Sequence, residues 1–278
     1  MPKQPLSDEK LYLYAIVSGL DGAVLGPIGL AGGTVYSIAS GRVTAVVSRV
    51  SEKLRPERRH LAAHHDVLKR LMAETDAVLP VAFGIVVEGR SAVGEILSRN
   101  RKAALDTLRR VTRRVEMGLR ITWDVPNIFE YFVDTHPELR AARDRFFTGH
   151  REPSQDDKIE LGRLFDRLLT EDRERHVERV EESLAPYCVE VKRLKPHNEL
   201  EVVNLACLVT RERQEEFVAA VFKAAQSFDN RYAFDYNGPW PAHNFVDMAL
   251  DLEPTRPARA GAHPSADGRR GQDGRAAR

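Results

Sequence analysis

Two histidines stand side by side at His64 and His65, followed by Asp66, and this is the nearest the chain comes to a cluster of metal ligands. On a helix, neighbours point about 100° apart, so the pair cannot chelate one ion together, and a partly exposed helix face is the expected reading. The glycine cluster Gly26–Gly33 has the composition of a phosphate-binding loop. Such loops work by ending at a helix N-terminus, where free N–H groups converge on the anion. This one leads into a strand-like segment with no GKS or GKT after it, so a plain loop is expected. The patterns CxxC, HExxH and GxSxG do not occur, which leaves zinc sites, zincin proteases and the hydrolase elbow without support. Carboxylates are plentiful, but nothing isolates an acid–base pair. No catalytic residue, metal ligand or cofactor is expected.

Two segments carry a more distinctive local chemistry. Leu79-Pro80-Val81-Ala82-Phe83-Gly84 places a proline and a glycine in a strand-like run, so the chain should kink or bulge there. Gly238-Pro239-Trp240-Pro241 sets a tryptophan between two prolines, shortly after Tyr236 and ahead of Phe245-Val246. Prolines pre-set an extended backbone and lower the entropy cost of presenting the indole. The tryptophan is then either a latch on its own domain's core or a rigid anchor for a partner. The residues expected to bind a partner are Pro80, Phe83, Tyr236, Pro239, Trp240, Pro241 and Phe245.

Those segments need a frame, and hydrophobic periodicity supplies it. Leu11–Val17 is apolar, aromatic-rich and too short for a helix, the mark of a buried strand. Residues 18–33 hold six glycines and one proline and read as a long loop. Thr34–Ala39 and Val43–Val50 read as strands joined across Ser40-Gly41. Leu61, Leu68, Leu71 and Met72 share one face of a helix over Arg55–Thr75, with Pro56 in its tolerant first turn. Val78–Val87 is a strand interrupted by Pro80, hence an edge strand or a bulged one. Ser91 is placed to cap a helix carrying Val93, Ile96, Leu97, Leu108 and Val111. A second series follows: strand Val115–Thr122, helices near 127–147 and 157–185, strand Val189–Leu194, a turn at Lys195–Glu199, strand Glu201–Thr210, helix Glu212–Phe228 and a strand from Tyr232.

The predicted fold is α+β, with two tandem modified ferredoxin-like (split βαββαβ) domains. In the first, the glycine-rich loop replaces the first helix; the second has an added helical pair. The expected boundaries are a flexible N-terminus over 1–10, domains at 11–113 and 114–252, and a disordered basic tail at 253–278. The 188–209 hairpin allows a sharper expectation. A symmetric turn about His197-Asn198 sets Cys188 opposite Cys207, Glu190 against Leu205 and Lys192 against Val203. A slip of one residue groups Val189 and Val191 with Val203, Leu205 and Cys207 on one buried face. The slipped register is favoured, with the thiols on opposite faces and no disulfide.

The 278 residues suit two domains, and 42 basic against 41 acidic side chains give a net charge of +1. Six arginines and two aspartates lie in 254–278, so the body before them sits near −3. That is not the field of a nucleic-acid or membrane-surface binder. No apolar run reaches the roughly 18 residues of a membrane span. The start, MPKQPLSDEK, has no apolar signal core, and two cysteines make no disulfide framework. A soluble cytoplasmic protein is expected.

Four segments, taken in order, resemble the gas vesicle GvpF/GvpL family: Leu11-Tyr12-Leu13-Tyr14, Leu79-Pro80-Val81-Ala82-Phe83-Gly84, Asn204-Leu205-Ala206-Cys207-Leu208-Val209, and Gly238-Pro239-Trp240-Pro241 with Asn244-Phe245-Val246. The resemblance runs from about residue 10 to 250. Ile85 stands where the family often has Thr, Cys207 where an aromatic is common, and Ala242-His243 where Pro-Tyr is usual. The resemblance implies a non-enzymatic accessory protein and minor component of gas vesicles. It would bind the hydrophobic shell protein GvpA, assist nucleation and hold that subunit back from aggregation, with other accessory proteins as further partners and the gas vesicle as its location. The alternative is a small-molecule-binding or catalytic tandem ferredoxin-like protein, which requires an apolar pocket with converging polar groups.

Overall fold

The computed structural model describes residues 9–51, 55–147 and 153–252. The tail expected at 253–278 lies outside them, as does most of the N-terminus expected to be flexible.

Strand β1 (Lys10–Val17) is buried from Leu11 to Val17, as an apolar run with both faces covered must be. It lies in the middle of the N-terminal sheet. On one side it pairs antiparallel with β4 (Val43–Val50), followed outward by β3 (Val35–Ser40) and the short β2 (Val24–Gly26). On the other side it pairs with β5 (Val78–Pro80) and β6 (Val86–Glu88). Helix α1 (Arg58–Glu74) covers one face, packing Val67, Leu68 and Leu71 over Tyr12 and Tyr14. Helices α2 (Gly89–Arg99) and α3 (Arg101–Val111) cover the other, over Leu11, Leu13 and Ile16.

The C-terminal sheet has the order β10 (Tyr232–Trp240), β7 (Arg114–Trp123), β9 (Glu201–Thr210), β8 (Glu190–Arg193), all antiparallel. Between β7 and β8 the chain makes α4 (Ile128–Thr135), α5 (Pro137–Phe147) and the long α6 (Gln155–Leu184). Helix α7 (Gln214–Ala225) joins β9 to β10. One sheet face packs Met117, Leu119, Ile121 and Trp123 against these helices. On the opposite face, Ala206 and Leu208 enter the core formed by α2, α3 and the N-terminal sheet, together with Ala242 and Phe245. The result is a mixed α+β fold of two antiparallel sheets with a shared layer between them.

Several local expectations are corrected. Ser91 caps nothing: the chain turns from β6 straight into α2 at Gly89, and Ser91 is already helical. The helix expected over 91–111 breaks at Asn100, whose side-chain amide donates to Ile96 O at 2.8 Å and closes α2 from below. The helix expected over 127–147 breaks before Pro137, which has no N–H to continue the ladder. In the hairpin, Val191 pairs with Cys207 and Glu190 with Leu208, a shift of three residues from the symmetric turn and not one. Val191 does pack on the core with Val203, Leu205 and Cys207, whereas Val189 is 45% exposed. The thiols are free but not on opposite faces. Cys188 closes a turn at Ala185–Tyr187, outside the pleat of β8, and its side chain packs on the same core and faces Cys207. Its thiol and burial hold the Cys207 thiol protonated.

Candidate functional site

The edge of the N-terminal sheet is interrupted where the proline and glycine foretold it. Along β1, Val17, Ile16 and Ala15 face Val78, Leu79 and Pro80, whereas Tyr12, Leu11 and Lys10 face Val86, Val87 and Glu88. Three more residues are spent on the edge side than on the β1 side between these two ladders. Val81 N still donates to Tyr14 O and Leu13 N to Ile85 O, both at 3.0 Å, so the excess leaves the sheet at Ala82-Phe83-Gly84. Gly84 has φ +95°, a conformation that residues with a Cβ seldom adopt.

Phe83 turns back from this bulge onto Tyr12 and His64, with ring centroids 5.9 and 5.8 Å apart. Gly84 N donates to the Tyr12 hydroxyl at 3.2 Å, and that hydroxyl lies 2.8 Å from His64 Nδ1. Burial pulls the His64 pKa down to about 4, helped by the nearby His243 and His65. The imidazole is therefore neutral at pH 7, and Tyr12 donates to Nδ1. Tyr14 forms the companion link, accepting from Leu30 N at 2.8 Å while sharing a bond with Ser48 Oγ at 2.9 Å. The glycine-rich loop is thus fastened to the sheet by a tyrosine.

The second distinctive segment ends β10. Its pairing with β7 slips by one residue between Asn237 and Trp240. Gly238 sits in the gap with φ +117°, and a Cβ there would lie 2.8 Å from Glu116 O. Trp240 is half-buried: Nε1 donates to Asn237 Oδ1 at 2.6 Å, and the ring meets His65 of α1 edge-on at 4.8 Å. It therefore latches the C-terminal sheet to the N-terminal helix while keeping part of its surface open.

Beyond it the chain crosses between the sheets as an irregular strap with one 3-10 turn at His243–Phe245. Pro241 is buried and Phe245 is 0% exposed, so neither offers surface to a partner, contrary to expectation; Phe245 packs the shared core. Buried Glu116 accepts from Asn244 N at 2.8 Å and Asn244 Nδ2 at 2.6 Å. Lys192 Nζ donates to Asp247 at 2.8 Å, and Asn100 exchanges two bonds with the Asp251 backbone.

The first of the two segments singled out from sequence meets the strap that follows the second. Pro80, Val81 and Ile85 on one side and Val246, Met248 and Leu250 on the other line a cleft of about 350 Å³. Pro80 faces it and Phe83 lies beneath the adjoining bulge. Pro239 and Trp240 line a second cleft of about 370 Å³ behind the latch. Tyr236 stands apart, exposed on β10 and 6.0 Å from the exposed Phe222 of α7. Sequence reasoning missed Phe222, Met248 and Leu250. The alternation of Val246, Met248, Leu250 and Leu252 with Asp247, Ala249 and Asp251 was the signal for the latter two. Among the described residues, no group of three or more His, Cys, Asp or Glu could hold a metal ion, and no helix is long and apolar enough to cross a membrane.

This arrangement has known relatives. The sequence profile of the family described as gas vesicle synthesis protein GvpL/GvpF matches residues 10–247. The chain is 29% identical over 241 residues to gas vesicle protein F from a Streptomyces species, covering 85% of this chain and 99% of that one. It is 28% identical over 242 residues to gas vesicle protein F from a Nostoc species, covering 86% and 98%. The crystal structure of the gas vesicle protein GvpF from an Anabaena species superposes with a TM-score of 0.76 at 26% identity, over 87% of this chain and all of that one. GvpF from Microcystis aeruginosa shares the fold, with a TM-score of 0.74 at 22% identity over 86% and 99%. A match from the first residue of β1 to the strap places both distinctive segments inside the shared region, and the chain belongs to the gas vesicle GvpL/GvpF family.

Proposed function

We propose that this protein is a non-enzymatic accessory component of gas vesicles that binds the hydrophobic shell protein GvpA and assists its nucleation and assembly. The observation that carries the reading is the apolar cleft between the bulged edge and the strap. A subunit that self-assembles through apolar strands must have its edges covered until assembly begins, and an open sheet edge next to an apolar cleft suits that task. Pro80 has no N–H to offer, so strand addition along this edge is interrupted and the contact is reversible. Other vesicle accessory proteins are further partners in this proposal.

The tandem reading of the fold, with domains at 11–113 and 114–252, belongs to the same proposal. Its support is the strand order. With β2 set aside and the split β5/β6 taken as one strand, the fourth, first, third and second strands in chain order lie side by side both as β5-β1-β4-β3 and as β10-β7-β9-β8.

The test is co-purification of GvpA with the full chain, with Met248→Asp and with Trp240→Ala. Met248→Asp puts a charge into the cleft and is expected to abolish retention while circular dichroism stays native. Undiminished retention by the folded Met248→Asp protein would move the interface elsewhere, and no retention by the unmodified chain would remove the shell protein as partner.

A further inference from the structure

We propose that the second cleft, behind the Trp240 latch, is a binding site for an acidic peptide segment that presents a carboxylate beside an apolar side chain. Its walls come from three places: Lys69, Met72 and Ala73 of α1, Val115 at the start of β7 with Arg211 and Gln214 at the entry to α7, and Gly238-Pro239-Trp240. The floor is apolar and none of the lining residues is acidic.

Of the two cations at its rim, Lys69 is exposed and Arg211 lies near the Glu212 carboxylate, which Arg113 already pairs. Neighbouring arginines are paired: Arg70 with Glu74, Arg113 with Glu212, and Arg213 with Glu216. Lys69 and Arg211 form no ion pair among the described residues, in a chain whose acids and bases are almost equal in number. Arg211 is held at one corner, donating from Nη2 to Thr75 O at 2.8 Å, while its buried Nε has no hydrogen-bond partner among the described residues. Gln214 Nε2 donates to Arg211 O at 2.8 Å and steadies the turn that carries it. Asn237 and His65 fix the indole as a preset wall. A held arginine and an exposed lysine beside an apolar floor match a carboxylate attached to an apolar body. A volume of about 370 Å³, near the lower end for ligand sites, admits one or two side chains and not a large cofactor.

The probe is the blocked pentapeptide alanyl-leucyl-glutamyl-phenylalanyl-alanine amide, with its glutaminyl counterpart as control, each titrated by calorimetry into the full chain at low salt. The acidic peptide is expected to bind roughly tenfold more tightly than the neutral one, the scale of one charge-assisted contact. Lys69→Gln, an exposed position that props up nothing, is expected to erase most of that ratio, and Arg211→Gln the rest. Tryptophan emission should shift on binding and the shift should vanish in Trp240→Phe, because the other tryptophan, Trp123, is 2% exposed in the far core. Equal affinity for the two peptides, or a ratio unchanged in Lys69→Gln, would overturn the proposal. Phenylacetate or inorganic phosphate binding as tightly as the peptide would replace it with a small anion. These readouts do not involve GvpA, so their failure is separate from failure of the shell-protein reading.

Discussion

In the N-terminal sheet, the crossover from β1 to β3 is a glycine-rich loop with one short strand, and the last strand is split into β5 and β6. In the C-terminal sheet, the matching crossover carries α4, α5 and α6, and the last strand, β10, stays one strand of nine residues despite its bulge at Gly238. Both sheets keep the same order, so the difference lies in how their faces and edges are closed. The helical half covers one face with its own insertion and keeps four continuous strands. The glycine-rich half has no such insertion: besides α1, α2 and α3 on its faces, it fastens its loop through Tyr14, folds Phe83 back onto Tyr12 and His64, and borrows Ala206, Leu208 and Phe245 from the other half. The exposed apolar cleft lies beside this irregular edge. In the function proposed above, the compensated irregularity of this edge is the surface that a partner uses.

The sharpest way to break this comparison is to remove the borrowed residue. Phe245→Ala should cost about 3–5 kcal/mol, the range for a fully buried aromatic. Because Phe245 lies in the shared core, urea unfolding followed by tryptophan emission and by circular dichroism should shift together. Phe132→Ala, confined to the helical half, is the control, and two separated transitions in Phe245→Ala would show that the halves do not share a core.

Acid tests both halves at once. His64 in the first and His176 in the second have pKa values pulled down to about 4 from 6.5, chiefly by burial. A folded value below the unfolded one means that the unfolded chain binds more protons between those limits. Stability therefore holds above pH 6.5 and falls as the pH drops toward about 4, by at most about 3 kcal/mol for His64 and less for the more exposed His176. Denaturation midpoints against pH should flatten in His64→Gln and, separately, in His176→Gln; an unchanged slope in either removes that histidine from the account.

Tyr12→Phe deletes one hydroxyl and strands both the Gly84 N–H and His64 Nδ1, so a loss of about 1–3 kcal/mol is expected. Hydrogen exchange should rise at Gly84 and not in the C-terminal sheet. Asp247→Ala, which removes the exposed pairs to Lys192 and Arg110, should change the unfolding midpoint by under about 1 kcal/mol. A larger loss would mean that the strap depends on its charges more than on its apolar side chains.

The chain's own pattern determined the local elements. The buried strand at Leu11–Val17, the hairpin across Ser40-Gly41, the long helix ending at Leu184 and the interruption after Pro80 are all encoded within a few residues, by side-chain period and by proline and glycine. The proline–glycine and proline–tryptophan segments were likewise legible as unusual. Tertiary structure alone decided that the strap after the second segment reaches the bulged edge, that Pro241 and Phe245 turn inward while Trp240 stays half open, and that Cys188 packs beside Cys207. Asn100 and Asp251 bond across 151 positions of sequence, and Asn244 finds Glu116 across 128. Periodicity states which face of a segment is apolar. Which distant segment covers that face is a matter of burial and hydrogen-bond satisfaction in three dimensions, and no local pattern contains it.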